Sequence, residues 1–192
     1  MSVVDSIDAA ADGVLPPWAE VSPPRREHIR RVVALVDSWA VGLGLDEAER
    51  RRWRAAAWLH DSLRDAAPAS LRPLVPDWAR DLPGPLLHGP AAAARLDAEG
   101  VKDREVLDAV AYHTIGHPSL GRLGRAVYLA DFLEPGRTFE PALRASLRAR
   151  MPAGFDVVLR EVVAARIEHL LRTGRPIRPE TTAFWNAIAG GE

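Results

Sequence analysis

The sequence contains no cysteine among its 192 residues. Disulfide bonds, thiolate-bound zinc, iron–sulfur clusters held by cysteine and a cysteine nucleophile are therefore excluded. Any metal ion that this protein binds must take its ligands from histidine and carboxylate side chains. The search for a functional site can accordingly begin with these residue types.

Long apolar runs and an excess of one charge are also missing. The longest apolar runs, such as AAAWL at 55–59, are far shorter than the ~20 residues that a membrane-spanning helix needs. Lysine and arginine number 25 against 26 aspartate and glutamate, so no general attraction to nucleic acid or to an anionic membrane is expected. The N-terminus lacks the basic and apolar stretches of a signal peptide. We therefore expect a cytoplasmic protein whose partners include neither nucleic acid nor membrane.

The distribution of apolar residues predicts one all-α domain over residues 25–188, because helical spacing recurs from Arg25 onward and strand-like alternation does not appear. Asp46 and Glu49 have the pattern of a capping box. Residues 1–24, interrupted by two proline pairs, are expected to form a loosely packed extension or a cap. A loop rich in proline and aspartate is predicted at 65–84. The predicted helices run from Arg25 to Gly42, Asp46 to His60, Leu86 to Leu96, Asp103 to Tyr112, and over 120–131, 140–150, 155–172 and 180–188.

Several polar residues lie where the helical pattern calls for apolar ones. They are His28, His60, Asp61, His88, His113 and Asp131. A single inward histidine is usually a hydrogen-bonded core residue, but a buried aspartate is costly without a cation or strong donors. A divalent metal ion satisfies all of these groups together, since imidazole and carboxylate suit Fe, Mn, Co or Zn. We therefore predict a metal site centred on the His60-Asp61 pair, in which Asp61 could bridge two ions.

The order of these residues resembles that of the HD-domain metal-dependent phosphohydrolases. The matching segments are REH at 26–28, AAWLHD ending at Asp61, LLHGP around His88, YHTIG around His113 and LADFLEPGR from Leu129 to Arg137. Within that superfamily the sequence is most similar to the YqeK-type family of symmetrical diadenosine tetraphosphate hydrolases. A His-Asp doublet is common by chance, whereas LADFLEPGR at this distance from YHT is specific. The resemblance covers about residues 25–188 and implies a single HD-domain helical bundle.

The resemblance also implies a metal centre that contains iron, as one or two ions. The implied ligands are His28, His60, Asp61 and Asp131. His88 and His113 are implied to face the phosphates of a nucleotide, or to complete a second metal position in which Asp61 is the bridge. In either case the resemblance makes Asp61, His88 and His113 catalytic residues.

Three arginines match family positions that contact the nucleotide or its phosphates: Arg25, Arg64 and Arg137. The family usually carries a lysine near Arg64, so here the charge is kept while the geometry of the contact differs. Arg64 is implied to act in catalysis as well as in substrate binding, with His88 and His113 as further substrate-binding residues. The N-terminal extension and the 65–85 loop depart from the shorter family pattern, and their roles stay open.

The implied function is symmetrical hydrolysis of diadenosine tetraphosphate to two ADP, by attack of a metal-bound hydroxide. The implied partner is a small nucleotide, and a homodimer is compatible with the sequence. One alternative is an HD-domain phosphohydrolase that acts on another nucleotide phosphoester. A second is a catalytically inactive nucleotide-sensing module, although all six metal and phosphate-facing positions are intact. A third is a di-iron oxygenase on the same scaffold, against which the arginines that match phosphate-contacting positions argue mildly.

Overall fold

A computed structural model describes residues 3–190, which form ten α-helices and contain no strand. The helices are α1 (Val3–Ala11), α2 (Pro23–Gly42), α3 (Glu47–Leu59), α4 (Pro68–Leu71), α5 (His88–Ala98), α6 (Arg104–Tyr112), α7 (Arg122–Leu133), α8 (Pro141–Ala149), α9 (Phe155–Arg172) and α10 (Pro179–Ala189). The prediction of an all-α protein is confirmed. Within the described range, no helix combines the length and the apolar character that crossing a bilayer requires.

Two of the predicted helix starts are confirmed by their caps. Asp46 begins α3 by accepting a hydrogen bond from the backbone N–H of Glu49 at 2.9 Å. Asp103 begins α6 in the same way, from the N–H of Val106 at 3.2 Å. Each aspartate satisfies an N–H that has no partner inside its helix. The capping box at α3 is incomplete, because the Glu49 side chain accepts from Arg52 instead of from the cap residue.

The start of α2 differs from the prediction. Pro23 and Pro24 form its first turn instead of interrupting a helix. Proline fits this position because its fixed φ suits a helix and the N–H that it lacks would be unpaired there anyway. Ser22 is the N-cap, and its side chain accepts from the N–H of Arg25. The two prolines therefore mark a helix start, and the prediction that they interrupt a helix is wrong.

The N-terminal segment also packs more closely than the loosely packed extension that was expected. Helix α1 lies against α3, and Ala10 and Ala11 are buried. Arg51 on α3 pairs with Asp8 at 3.2 Å and with Asp12 at 2.9 Å. The segment behaves as a cap on α3. Residues 1 and 2 of the predicted extension lie outside the described residues.

The stretch between α3 and α5 contains more structure than the predicted loop. It holds the one-turn helix α4 and two 3-10 turns, Asp77–Ala79 and Gly84–Leu86. Between residues 68 and 86 the buried apolar residues are Leu71, Val75, Ala79 and Leu82. They recur every three or four positions, so each turn directs one of them toward the core.

The core consists of two apolar clusters that share two helices. The first joins α2, α7, α8, α9 and α10, and the second joins α1, the 63–87 stretch and α5. Helices α3 and α6 contribute to both, with Trp53 and Val106 in the first cluster and Leu59 and Val110 in the second. Residues at the C-terminal ends of α3 and α6 therefore lie at the seam between the two clusters.

We expect Gly116→Ala to lower the free energy of unfolding by about 2–4 kcal/mol, as the sum of backbone strain and overpacking. Gly116 has a φ of +74°, and an added Cβ would overlap the ring of Phe184 on α10. Gly44→Ala is the matched control, because Gly44 has a φ of +71° with open space around it. That control should cost only ~1 kcal/mol. Urea denaturation measures both values, and equal costs would show that the contact with Phe184 contributes nothing.

Candidate metal centre

The six polar residues predicted to face inward converge at the seam between the two apolar clusters. They are His28 on α2, His60 and Asp61 at the end of α3, His88 at the start of α5, His113 at the end of α6 and Asp131 on α7. Their exposed fractions run from 0 to 8%. Five different helices thus deliver ionisable side chains to one buried point.

Asp61 lies between two pairs of histidines. Its Oδ2 is 3.4 Å from Nε2 of His28 and 3.6 Å from Nε2 of His60. Its Oδ1 is 3.1 Å from Nε2 of His88 and 3.5 Å from Nε2 of His113. Each carboxylate oxygen therefore faces one pair, which is the arrangement expected of a carboxylate that bridges two metal positions.

Asp131 adds a second carboxylate on the side of His28, with its Oδ1 3.1 Å from Nε2 of that ring. Two groups of three side chains bring one potential ligand atom each to within 4.8 Å of one another. These groups are His28, His60 and Asp131, and His60, Asp61 and His113. The two groups share His60, so the positions that they outline are adjacent.

Three of the four histidines are each held by a hydrogen bond from the ring to the backbone. In each, Nδ1 donates to the backbone carbonyl three residues earlier. The acceptors for His60, His88 and His113 are the carbonyls of Ala57, Pro85 and Val110, at 2.7, 3.0 and 2.9 Å. A carbonyl only accepts, so the proton of the neutral ring is on Nδ1 and Nε2 presents its lone pair to the centre. These backbone contacts thus fix both the tautomer and the direction of the three rings.

The charge states around the centre suit metal ligands. Burial lowers the pKa of His60 to about 4 and also lowers the pKa of His88, so both rings are neutral near pH 7. Burial alone would raise the pKa of Asp131, but His28, whose own pKa its carboxylate neighbours raise against the effect of burial, and Arg137 hold it well below the ordinary value. Neutral imidazole and ionised carboxylate are the forms that bind a divalent cation.

Two observations test whether these residues fit a metal ion. Within the described part of the chain, Nε2 of His60 is fully buried and has no hydrogen-bond partner. The Nε2 atoms of His88 and His113 lie 3.0 Å apart, although both present lone pairs when the rings are neutral. Two buried acceptor atoms this close together repel each other unless a cation lies between them. The donor set therefore fits a divalent metal ion.

A cleft of about 330 Å³ opens beside this centre and is lined by Arg25, Arg137 and His28, among others. Nη1 of Arg25 donates to Oδ2 of Asp61 at 2.8 Å. Arg137 donates to the carboxylate of Asp131 and, through Nε, to its carbonyl at 3.1 Å. Two of the three predicted arginines thus lie at the cleft and touch the predicted metal ligands.

Arg64 occupies a different place. It is partly buried and does not line the cleft of Arg25 and Arg137. The pKa of His88 is lowered first by burial and also by the nearby charge of Arg64, which places the guanidinium on the side of His88 and His113. Among the described residues Arg64 makes no ion pair. The guanidinium of Arg64 is therefore available to bind an anion on that side of the centre.

The sequence reasoning missed Glu134, whose side chain is only 2% exposed. Its Oε1 accepts from Nδ1 of His28 at 3.2 Å, and its Oε2 accepts from the N–H of Gly136 at 2.7 Å and from Nε of Arg31. Burial alone would raise the pKa of Glu134, but these donors lower it to about 2. Glu134 follows α7 in the EPG turn, outside any apolar stripe, so helical spacing could not reveal its burial.

Comparisons with known proteins agree with the resemblance seen in the sequence motifs. The chain is 27% identical over 175 residues to the protein named bis(5'-nucleosyl)-tetraphosphatase, symmetrical, of Halalkalibacterium halodurans, covering 88% of this chain and 92% of that protein. It is also 27% identical over 150 residues to the protein of the same name in Bacillus subtilis, covering 75% and 80%.

A solved structure from Clostridium acetobutylicum, described as a predicted HD superfamily hydrolase involved in NAD metabolism, matches with a TM-score of 0.77. The two chains are 21% identical, and the match covers 98% of this chain and 97% of the other. This likeness confirms the predicted fold. The family model described as HD domain matches residues 25–136, which is more than half of the sequence, and the chain therefore belongs to the HD domain family.

Proposed function

We propose that this protein is a metal-dependent phosphohydrolase that cleaves diadenosine tetraphosphate symmetrically into two ADP. The observation that carries the proposal is the carboxylate of Asp61, buried between two pairs of histidine Nε2 atoms beside an arginine-lined cleft. The names of the two relatives, which match this chain over most of its length, support the choice of substrate. The HD domain family supports the reaction class.

The residues that would hold metal are those implied by the resemblance, and they include every member of the two ligand groups. His28, His60, Asp61 and Asp131 would bind one ion, and we infer iron for it from the resemblance of the motifs. His88 and His113, with Asp61 as bridge, would complete a second position. A divalent ion bound here would stabilise negative charge and lower the pKa of a water ligand, which makes a nucleophile available at neutral pH.

The protein's own residues orient the metal ligands and neutralise the negative charge of the phosphates. The backbone carbonyls that hold three of the rings prevent them from rotating away from the centre. Arg25 and Arg137 reach the cleft beside Asp61 and Asp131, and guanidinium groups bind phosphate oxygens with two donors at once. Arg64 would stabilise charge on the side of His88 and His113. Such preorganised cations act strongly in a partly dry site.

The substrate itself explains why several cations are useful. A symmetrical cut of diadenosine tetraphosphate leaves a nucleoside diphosphate on each side of the broken bond. Negative charge develops on the leaving oxygen and stays on the phosphates that flank it. Arginines on both sides of the metal ligands can therefore contact the attacked phosphate and its neighbours at the same time.

The substrate assignment is tested by incubating the purified protein with diadenosine tetraphosphate and Fe²⁺ or Mn²⁺. We expect ADP as the sole nucleotide product, because a symmetrical cut produces two identical halves. Chelation of the metal should abolish product formation, and adding the metal back should restore it. Chromatography of the products measures the outcome. ATP with AMP, or no cleavage together with turnover of another nucleotide in a panel, would contradict the assignment.

Replacing Asp61 with asparagine tests the metal centre. Asp61→Asn keeps the shape of the side chain but removes the negative charge that faces both pairs of histidines. We expect most of the bound metal to be lost and kcat to fall by about 100-fold or more. Metal analysis and steady-state kinetics measure the two effects. Asp77→Asn, a change at an exposed aspartate, is the control, and full metal content in Asp61→Asn would show that Asp61 is not a ligand.

Replacing Glu134 with glutamine tests whether it positions His28. Glutamine has one acceptor oxygen and one donor group, so it cannot accept from His28, Gly136 and Arg31 together as the carboxylate does. We expect metal affinity to fall by about 10–100-fold, as is usual when the carboxylate behind a ligand histidine is lost. Titration of the metal-free variant by calorimetry gives the affinity. An unchanged affinity would mean that His28 keeps its orientation without Glu134.

A further inference from the structure

Arg31 is a third arginine in the cleft, and neither the sequence motifs nor the resemblance assigns it a role. It lies three residues after His28 on α2, while Arg25 lies three residues before. Residues at this spacing share one face of a helix. Helix α2 therefore presents a cation, a predicted metal ligand and a second cation in succession along the cleft.

The side chain of Arg31 is held in place and still offers donors. Its Nε donates to Oε2 of Glu134, and the side chain keeps 38% exposure. Among the described residues its two terminal nitrogens make no hydrogen bond. A guanidinium carries five N–H donors, so the contact with Glu134 fixes its position while the outer donors face the cleft.

The turn at Gly136 makes room for this arrangement. A Cβ at position 136 would overlap the guanidinium of Arg31. The N–H of Gly136 donates to the same carboxylate oxygen, Oε2 of Glu134, that Arg31 contacts. The glycine thus supports the carboxylate that holds Arg31 and leaves the space that its guanidinium fills.

Arg31 lies farther from the predicted metal positions than the other two arginines. Arg25 and Arg137 contact Asp61 and Asp131 directly. Arg31 instead contacts Glu134, which binds Nδ1 of His28, on the side of the ring away from the metal-facing Nε2. An anion that reaches Arg31 therefore occupies a different position from an anion at the metal ligands.

We propose that Arg31 binds a phosphate group of the substrate other than the phosphate that is attacked, and so favours substrates that carry a longer phosphate chain. The proposal deepens the proposed function, since it takes this cleft to be the substrate cleft. The chemistry required is a chain of at least two phosphates, one at the metal ligands and one at the guanidinium of Arg31. Charge-assisted contacts between guanidinium and phosphate are strong enough to discriminate between such substrates.

The test compares ADP with AMP, which differ by one phosphate, in equilibrium binding to the manganese-loaded full chain. We expect Arg31→Met to weaken ADP binding by about tenfold and to change AMP binding by less than about twofold, since one charge-assisted contact is lost only with the longer chain. Isothermal titration calorimetry measures both dissociation constants. Metal analysis before and after the titration should show the same content as the parent protein.

Two further variants sharpen the comparison. Arg30→Met is the matched control, because Arg30 is the neighbouring residue, pairs with Glu27 at the surface and does not line the cleft. It should leave the binding of both nucleotides unchanged. Gly136→Ala keeps the arginine but displaces it by the added Cβ, so it should reproduce the selective loss of ADP affinity.

Each other outcome overturns the proposal. Unchanged ADP affinity in Arg31→Met means that Arg31 contacts no phosphate, and an equal loss for ADP and AMP means that it does not sense chain length. Loss of metal from Arg31→Met assigns it to the metal centre through Glu134 instead. The proposed function can fail separately: selective ADP binding that depends on Arg31, in a protein that does not cleave diadenosine tetraphosphate, supports the inference and rejects that substrate.

Discussion

The carboxylate of Asp61 is an anion almost excluded from water, and the Nε2 atoms of four histidines surround it. Excluding a carboxylate from water costs several kcal/mol, and a neutral ring that turns a lone pair toward it gives nothing back. Arg25 offsets part of this cost through its contact with Oδ2. A divalent ion at each pair would offset the rest. The metal chemistry of the protein thus follows from an electrostatic requirement of its folded state.

Glu134 connects this centre to the cleft, because one carboxylate holds a predicted ligand, His28, and a predicted phosphate contact, Arg31. The ligand and the arginine lie on the same face of α2. Glu134 itself follows α7, close to Asp131 and Arg137. Any movement between α2 and α7 would therefore disturb the metal ligands and the arginines together. Binding of metal and binding of phosphate are in this way expected to favour the same packing of the two helices.

The inward-facing histidines and aspartates could be predicted because they interrupt apolar stripes, and a stripe is a local property of the chain. His60 and Asp131 are examples, each one helical turn from buried alanine or valine. The sequence signal for a helix start, such as the capping residue Asp46, is also local. The role of Pro23 could not be predicted in this way. Proline is unfavourable inside a helix but favourable in its first turn, so its effect depends on where the helix begins. Glu134 gave no signal, since turns have no periodicity.

By itself the sequence determined that the protein is helical, that any metal it binds must be held by histidine and carboxylate, and that six polar residues of the apolar stripes face inward. Only the tertiary structure decided that Asp61 faces one histidine pair with each oxygen, that Glu134 lies behind His28, and that Arg31 enters the cleft. The physical reason is that helical periodicity specifies a face but not a partner. Which oxygen meets which ring depends on how α2, α3, α5, α6 and α7 pack, through contacts distant in sequence.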